Sequence, residues 1–340
     1  MPTPKKSRKK SPQAKLATAF VAGIALPVCL AAGWHAAYGQ QDVPPASQAR
    51  PVRATQASLS QDSAGQTASP LPHEELAQMR AIFQQGVRKP TIDRLERTKK
   101  MWASAPKIQQ ILEQRRQRLE QLDQAYFDFA RKDVAAQMAK AGLSFSGTQY
   151  FAYADRNPQT QFILVGLYDS ASDRIEFLGA DLISSGNIEK GGDYFVTPTG
   201  VFENALENFS YRAMGTPNQD GWRGLGSKDS RVWDFGDQKS LKKYKAGETI
   251  SQMRLLMHST DPDKGEPRLG RTDSKGCVRI SQGLNKFLDT YAILDRNYEE
   301  WAKTRPDSWL LKKDRKPVTY PGRYLIIGDS APQMQAQAKP

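Results

Sequence analysis

Two textures of apolar spacing divide the chain. Between Pro106 and Gly142 the residues Ile108, Ile111, Leu112, Leu119, Leu122, Tyr126, Phe129, Val134 and Met138 recur mostly at steps of three and four, with Glu and Arg between them. That spacing predicts one amphipathic helix over about 107–141. Pro106 suits its first turn and Gly142 its C-terminal stop. At 1.5 Å per residue such a helix is about 50 Å long, and its stripe calls for a coiled-coil dimer, another protein partner or an antiparallel helical hairpin. Shorter helical patterns start at His73-Glu74-Glu75-Leu76 and at Ile92, so the whole of 73–142 reads as a helical region.

From Tyr150 onward the apolar residues gather into short runs separated by turn residues. Phe162–Tyr168, Arg174–Leu178, Leu182–Gly186, Tyr194–Val196, Arg254–His258 and Arg323–Gly328 have strand length, and Ser281–Asp289 is helix-like. Many short strands with few helices predict a mostly β domain of sandwich type over 148–329. Residues 330–340 read as a disordered tail.

Upstream, an uncharged run from Leu16 to Gly39 follows six basic residues in positions 1–15. That layout predicts a secretory signal peptide over 1–39, with Ala37-Tyr38-Gly39 at the cleavage position, or an uncleaved signal anchor that ties the chain to the inner membrane. Basic residues on the N-terminal flank send the remainder outward, so the expected location is the periplasm. Residues 40–72 lack aromatics and are rich in Pro, Ala, Ser and Gln, the composition of a flexible linker.

Six of the thirteen net positive charges sit in the export segment, leaving seven for the rest. Nucleic acid is not the expected partner, because no basic stripe is interleaved with aromatics. An acidic polymer such as the cell wall suits the same charge. No metal-ligand spacing is present and no cofactor is expected.

Only two cysteines and three histidines occur. Cys29 and His35 belong to the export segment and His73 follows the linker, so Cys/His chemistry in the folded part falls to Cys277 with His258. An exported cysteine left without a partner reads as a reactive thiol. A thiolate is a nucleophile and a neighbouring imidazole accepts its proton. Gly276 lets a substrate carbonyl approach closely, and backbone N–H groups at the following helix start are placed to hold an oxyanion. These residues specify acyl transfer through a thioester, with water or an amine as acceptor.

His258, fifteen intervening residues and then Ser274-Lys275-Gly276-Cys277-Val278-Arg279 resemble the signature of the L,D-transpeptidase (YkuD-type) catalytic domain. Thr197-Pro198-Thr199-Gly200-Val201-Phe202 resembles an upstream stretch of the same family. The resemblance spans roughly residues 150–329 and implies a β-sandwich-like fold. It makes Cys277 the nucleophile, His258 the general base and Ser259 the residue whose backbone carbonyl orients the imidazole. Ser274 and Gly276 shape the oxyanion and substrate pocket, with Arg279 in support. The implied substrate is the peptidoglycan stem peptide, attacked at its third residue and passed to an amine to give a 3–3 crosslink or a link to a protein lysine. A hydrolase on the same domain and a non-catalytic wall-binding scaffold are the alternatives. Lys275 departs from the family, many members of which carry histidine there. Of the arginines before the cysteine, Arg212, Arg223, Arg231, Arg254, Arg268 and Arg271 offer either carboxylate contacts or ordinary ion pairs.

Overall fold

The apolar run at 162–168 is unbroken because both faces of its strand are covered. In the computed structural model, which describes residues 73–244, 247–305 and 309–331, β1 (Gln149–Asp155), β2 (Phe162–Asp169), β3 (Arg174–Leu182), β4 (Gly200–Glu203) and a C-terminal strand at Tyr324–Gly328 form a five-stranded sheet. Tyr150, Ala152, Ala154, Ile163, Val165 and Leu167 enter one core. The alternate residues Phe151, Tyr153, Phe162 and Leu164 enter a second core on the opposite face. The expected signal or anchor segment, the linker and the tail beyond residue 331 lie outside the described residues. Among the described residues no helix is long and apolar enough to cross a membrane.

One face of this sheet is closed by a four-stranded sheet of β5 (Tyr211–Arg212), β6 (Arg231–Tyr244), β7 (Gly247–Ser259) and β8 (Val278–Ile280); the strand at Tyr324–Gly328 is then β9. Trp233, Phe235, Leu255, Met257, Val278 and Ile280 supply that side of the shared core. The other face is closed by helices. The described residues are therefore mixed α/β with two sheets. A β-rich part is present as expected, and the helices of residues 73–140 pack against the same two cores as the sheets.

The helices are α1 (His73–Phe83), α2 (Lys89–Met101), α3 (Pro106–Glu120), α4 (Gln124–Lys140), α5 (Gln282–Thr290) and α6 (Arg296–Ala302). A π-helical turn at Gln84–Arg88 joins α1 to α2. The ring of Pro90 would meet the carbonyl of Gly86 in a regular α-helix, and the wider turn relieves that clash. The single helix expected over 107–141 is instead α3 and α4. Asp123 caps α4, its carboxylate accepting from the Tyr126 N–H at 2.8 Å, so the helix restarts there in a new direction. Of the expected stripe, Leu112, Leu119, Val134 and Met138 are buried against the chain's own five-stranded sheet, whereas Ile111 is exposed.

Residues 182–186, expected as a strand, carry the chain from one sheet to the other. Beyond the end of β3, Ser184 bridges Arg279 and Gly186 bridges Ser274. Buried Asp181 fixes the junction by accepting from the Thr91 hydroxyl (2.8 Å) and the Ser281 hydroxyl (2.5 Å). A second buried carboxylate, Asp295, accepts from Arg231 (2.9 Å), Asn204 (3.0 Å) and the Trp233 indole (3.2 Å). Arg231 and Asp295 are both fully buried, and their network fastens β6 to the turn between α5 and α6.

Candidate active site

The register of the second sheet brings His258 and Cys277 to one face. β7 and β8 run parallel with Met257 opposite Val278 and His258 opposite Arg279. Carried back one step, that register sets Cys277 beside Leu256. Side chains two apart along a strand share a face, so Arg254, Leu256 and His258 point to the same side as Cys277 and Arg279. On β6, Val232 faces His258 and Asp234 faces Leu256, and on β5 Tyr211 faces Val232. The intervening residues Met253, Leu255, Met257 and Val278 are buried in the core. The site thus lies on the face of the sheet turned away from the shared core.

His258 is 4% exposed, and its Nδ1 lies 2.6 Å from the carbonyl oxygen of Ser259. A carbonyl only accepts, so Nδ1 carries the proton and Nε2 is left as a proton acceptor. Burial lowers the imidazole to about 4, helped by the positive Arg279 beside it and opposed by the Ser259 carbonyl. The ring is therefore neutral at physiological pH. Burial also pushes the half-buried Cys277 thiol above its ordinary value, while the N–H groups of Leu256 and of Cys277 itself and the charge of Arg279 pull it back. The thiol makes a long contact of 4.0 Å with the Arg254 carbonyl rather than a hydrogen bond to the imidazole.

Neutral thiol beside neutral imidazole has a consequence for reactivity. Because thiolate is the reactive form and burial raises the Cys277 thiol above its ordinary value, alkylation of Cys277 by iodoacetamide is expected to keep rising with pH through the neutral range. Peptide mass mapping of the labelled residue checks this. A plateau at neutral pH would instead reveal a preformed thiolate–imidazolium pair.

The loop before Cys277 is clamped from three directions. The Ser274 hydroxyl donates to the Cys277 carbonyl (2.6 Å) and accepts from the Gly276 N–H (3.0 Å). Thr197 of the upstream motif donates its hydroxyl to the Gly276 carbonyl (2.7 Å) and accepts from the Gly186 N–H (2.8 Å). Phe195 donates its N–H to the Lys275 carbonyl at 3.2 Å. Gly276 has φ of +128°, and a Cβ there would sit 2.7 Å from Cε of Met253, so glycine is required by both conformation and space. Lys275 is 59% exposed and lies 3.9 Å from Asp193; it faces solvent beside Tyr194 and is not among the charges acting on the thiol.

The expected helix start at the thiol is not where the sequence suggested. β8 intervenes, and the first N–H groups of α5 are taken by Glu266 and by the Ser281 hydroxyl. The backbone N–H groups of Leu256 and Cys277 favour negative charge on the sulfur and lower the thiol.

The six arginines sort by partner. Arg212 pairs with Asp289 (2.9 Å) and Arg231 with Asp295, both buried. Arg223 pairs with Asp263 (3.5 Å), and Arg254 pairs with Asp234 (2.9 Å) and Asp237 (3.3 Å). Arg268 and Arg271 each lie 3.7 Å from Asp273, which also receives Lys190 (2.5 Å) and Arg279 (3.5 Å). Sequence reasoning missed Asp273 and the tethering role of Thr197. The Thr197 motif was visible; Asp273 carried no signal beyond its place one residue before Ser274.

The glycine-rich stretch at 215–236 divides. Arg231–Gly236 is the buried start of β6, with Trp233 in the core. The preceding loop touches Ser259, whose hydroxyl donates to the Leu225 carbonyl at 3.3 Å, and its Trp222 ring lies 4.7 Å from the Arg268 guanidinium. Among the described residues no group of three or more His, Cys, Asp or Glu is arranged to hold a metal. No family model matches the chain, and no curated protein matches it.

Proposed function

We propose that this protein is an exported, periplasmic L,D-transpeptidase of peptidoglycan with a YkuD-like catalytic domain. The observation that carries the reading is a neutral imidazole, its Nδ1 held by the Ser259 carbonyl at 2.6 Å, on the same strand face as the only thiol of the described residues. The two sequence motifs and the export layout supply the substrate class.

In this mechanism Sγ of Cys277 attacks the carbonyl of the third stem residue while Nε2 of His258 takes the thiol proton. The C–N bond to the fourth residue breaks, His258 returns the proton to the leaving amine, and D-alanine departs. An amine of a second stem then attacks the thioester, His258 accepts its proton, and the new amide leaves Cys277 as free thiol. Raised thiol and lowered imidazole favour this concerted proton transfer over a resting ion pair.

Incubating the purified protein with disaccharide tetrapeptides and analysing the products tests the reading. Crosslinked dimer with release of D-alanine, absent with Cys277→Ala, is the expected result. Shortened monomer alone would replace transfer by hydrolysis. Unchanged substrate with every stem peptide would leave a wall-binding scaffold.

A further inference from the structure

Four cations converge on the carboxylate of Asp273, a residue only 4% exposed. Lys190 donates to it at 2.5 Å and Arg279 lies at 3.5 Å. Both also donate to the Asp273 carbonyl, at 3.3 and 3.2 Å. Arg268 and Arg271 stand at 3.7 Å, beyond hydrogen-bond length. Neither guanidinium donates to an acceptor among the described residues, and the two side chains are 43% and 48% exposed.

Behind this loop α3 adds two more positive charges. Arg115 and Arg118 donate to the carbonyls of Pro267 (3.1 Å) and Gly270 (3.3 Å), and neither pairs with an acid among the described residues. The Nε of Arg118 is buried without a hydrogen-bond partner. Burial, together with the charges of Arg271 and Arg118, lowers Arg115 to about 10, so it stays charged at neutral pH. Glu266 on the same loop offsets none of this, because Arg94 and the Gln282 N–H engage it. Six cations thus face one carboxylate. Holding like charges together costs the folded state stability, a cost that a bound anion lowers.

The backbone that carries Arg268 and Arg271 is fixed on several sides. Gly270 donates its N–H to the Ile183 carbonyl (2.7 Å), and Asp273 and Ser274 donate theirs to the Ser185 carbonyl (2.9 Å each). Leu269 is buried in the helix-side core. Gly270 has φ of +92°, and a Cβ there would lie 2.9 Å from Cδ of Arg115, so glycine lets α3 close on the loop. The Arg268 guanidinium is held over the Trp222 ring at 4.7 Å. The two open guanidinium forks therefore project from a preorganised frame.

A phosphate group brings nearly two negative charges and three acceptor oxygens, and guanidinium forks engage it through paired hydrogen bonds. Its charge and acceptor count match the surplus at this loop. We propose that Arg268 and Arg271, backed by the charges of Lys190, Arg115 and Arg118, form a binding site for a phosphate group. Free phosphate and the headgroup of an anionic lipid present the same oxygens to it. The site takes no part in the bond changes assigned to Cys277 and does not depend on the transpeptidase reading.

The test is calorimetric titration of the full-length protein with inorganic phosphate at constant ionic strength. Wild type is expected to bind, and Arg268→Gln combined with Arg271→Gln to weaken binding about tenfold or more. The melting temperature in phosphate-free buffer should not change, since both side chains are exposed. A charge-matched pair elsewhere on the surface, Lys303→Gln with Lys313→Gln, should leave the affinity unchanged. Repeating the titration with phosphatidylglycerol vesicles present separates the sources. Loss of phosphate binding there, but not with phosphatidylcholine vesicles, assigns the site to a lipid headgroup; unchanged binding assigns it to free phosphate. Absence of phosphate binding by wild type would overturn the proposal, and so would equal weakening by the lysine pair, which would reduce the effect to net charge.

Discussion

Replacing His258 by glutamine is expected to lower kcat for acyl transfer by about 100- to 10,000-fold, the usual contribution of a positioned general base. Glutamine can still donate to the Ser259 carbonyl, but it has no nitrogen able to take the thiol proton. The loss should fall on kcat more than on KM, since His258 moves a proton and holds no part of the peptide. Acid stability separates this role from a packing role. The folded chain holds the imidazole at about 4, whereas an unfolded histidine titrates near 6.5. Below about pH 6.5 the unfolded state takes up the proton first, so stability falls with pH until the folded value is reached. Between pH 7 and pH 4 the wild type should therefore lose about 3 kcal/mol relative to His258→Gln. Denaturant titrations at the two pH values read this directly. Parallel stability curves for the two proteins would mean that His258 is not buried in the neutral form.

Replacing Asp295 by alanine is expected to destabilise the fold by about 3–5 kcal/mol, the cost of leaving a buried partner charge uncompensated. Asp295 accepts from Arg231, Asn204 and the Trp233 indole at one oxygen, and the Arg231 guanidinium is enclosed by the rings of Trp233 and Tyr298 at 5.6 and 5.1 Å. Without the carboxylate, Arg231 remains fully buried with no anion. A neighbouring strand position shows why activity would suffer too: Val232 pairs with His258, so loosening β6 disturbs the strand that carries the base. Urea unfolding of the variant measures the loss. A change below 1 kcal/mol would show that water compensates Arg231.

The parts of the fold that the sequence announced are those whose local pattern agrees with their surroundings. Phe162–Tyr168 is apolar throughout because it is covered on both sides, and Ser281 is a hydroxyl cap before a helical run. His258 closing an apolar strand and Cys277 after a glycine were legible for the same reason. β6 was hidden because buried Arg231 and Asp234 look like surface residues until their partners Asp295 and Arg254 are in place. Gly236, with φ of +78° at the register shift between Asp234 and Asp237, gave the strand the look of a loop. The break between α3 and α4 was hidden too, since Gln121-Leu122-Asp123 contains neither proline nor glycine. It is set by tertiary packing that turns α4 across the five-stranded sheet. Both faces of β1 and β2 are buried, which is why the helices form a third layer on the sheet.

The measurement that bears most directly on the central claim is the intact mass of the full-length protein after brief exposure to a disaccharide tetrapeptide. The account predicts an adduct equal to the donor less D-alanine, mapped to Cys277 and absent from Cys277→Ala. An unmodified mass under conditions in which the peptide is demonstrably bound would contradict it.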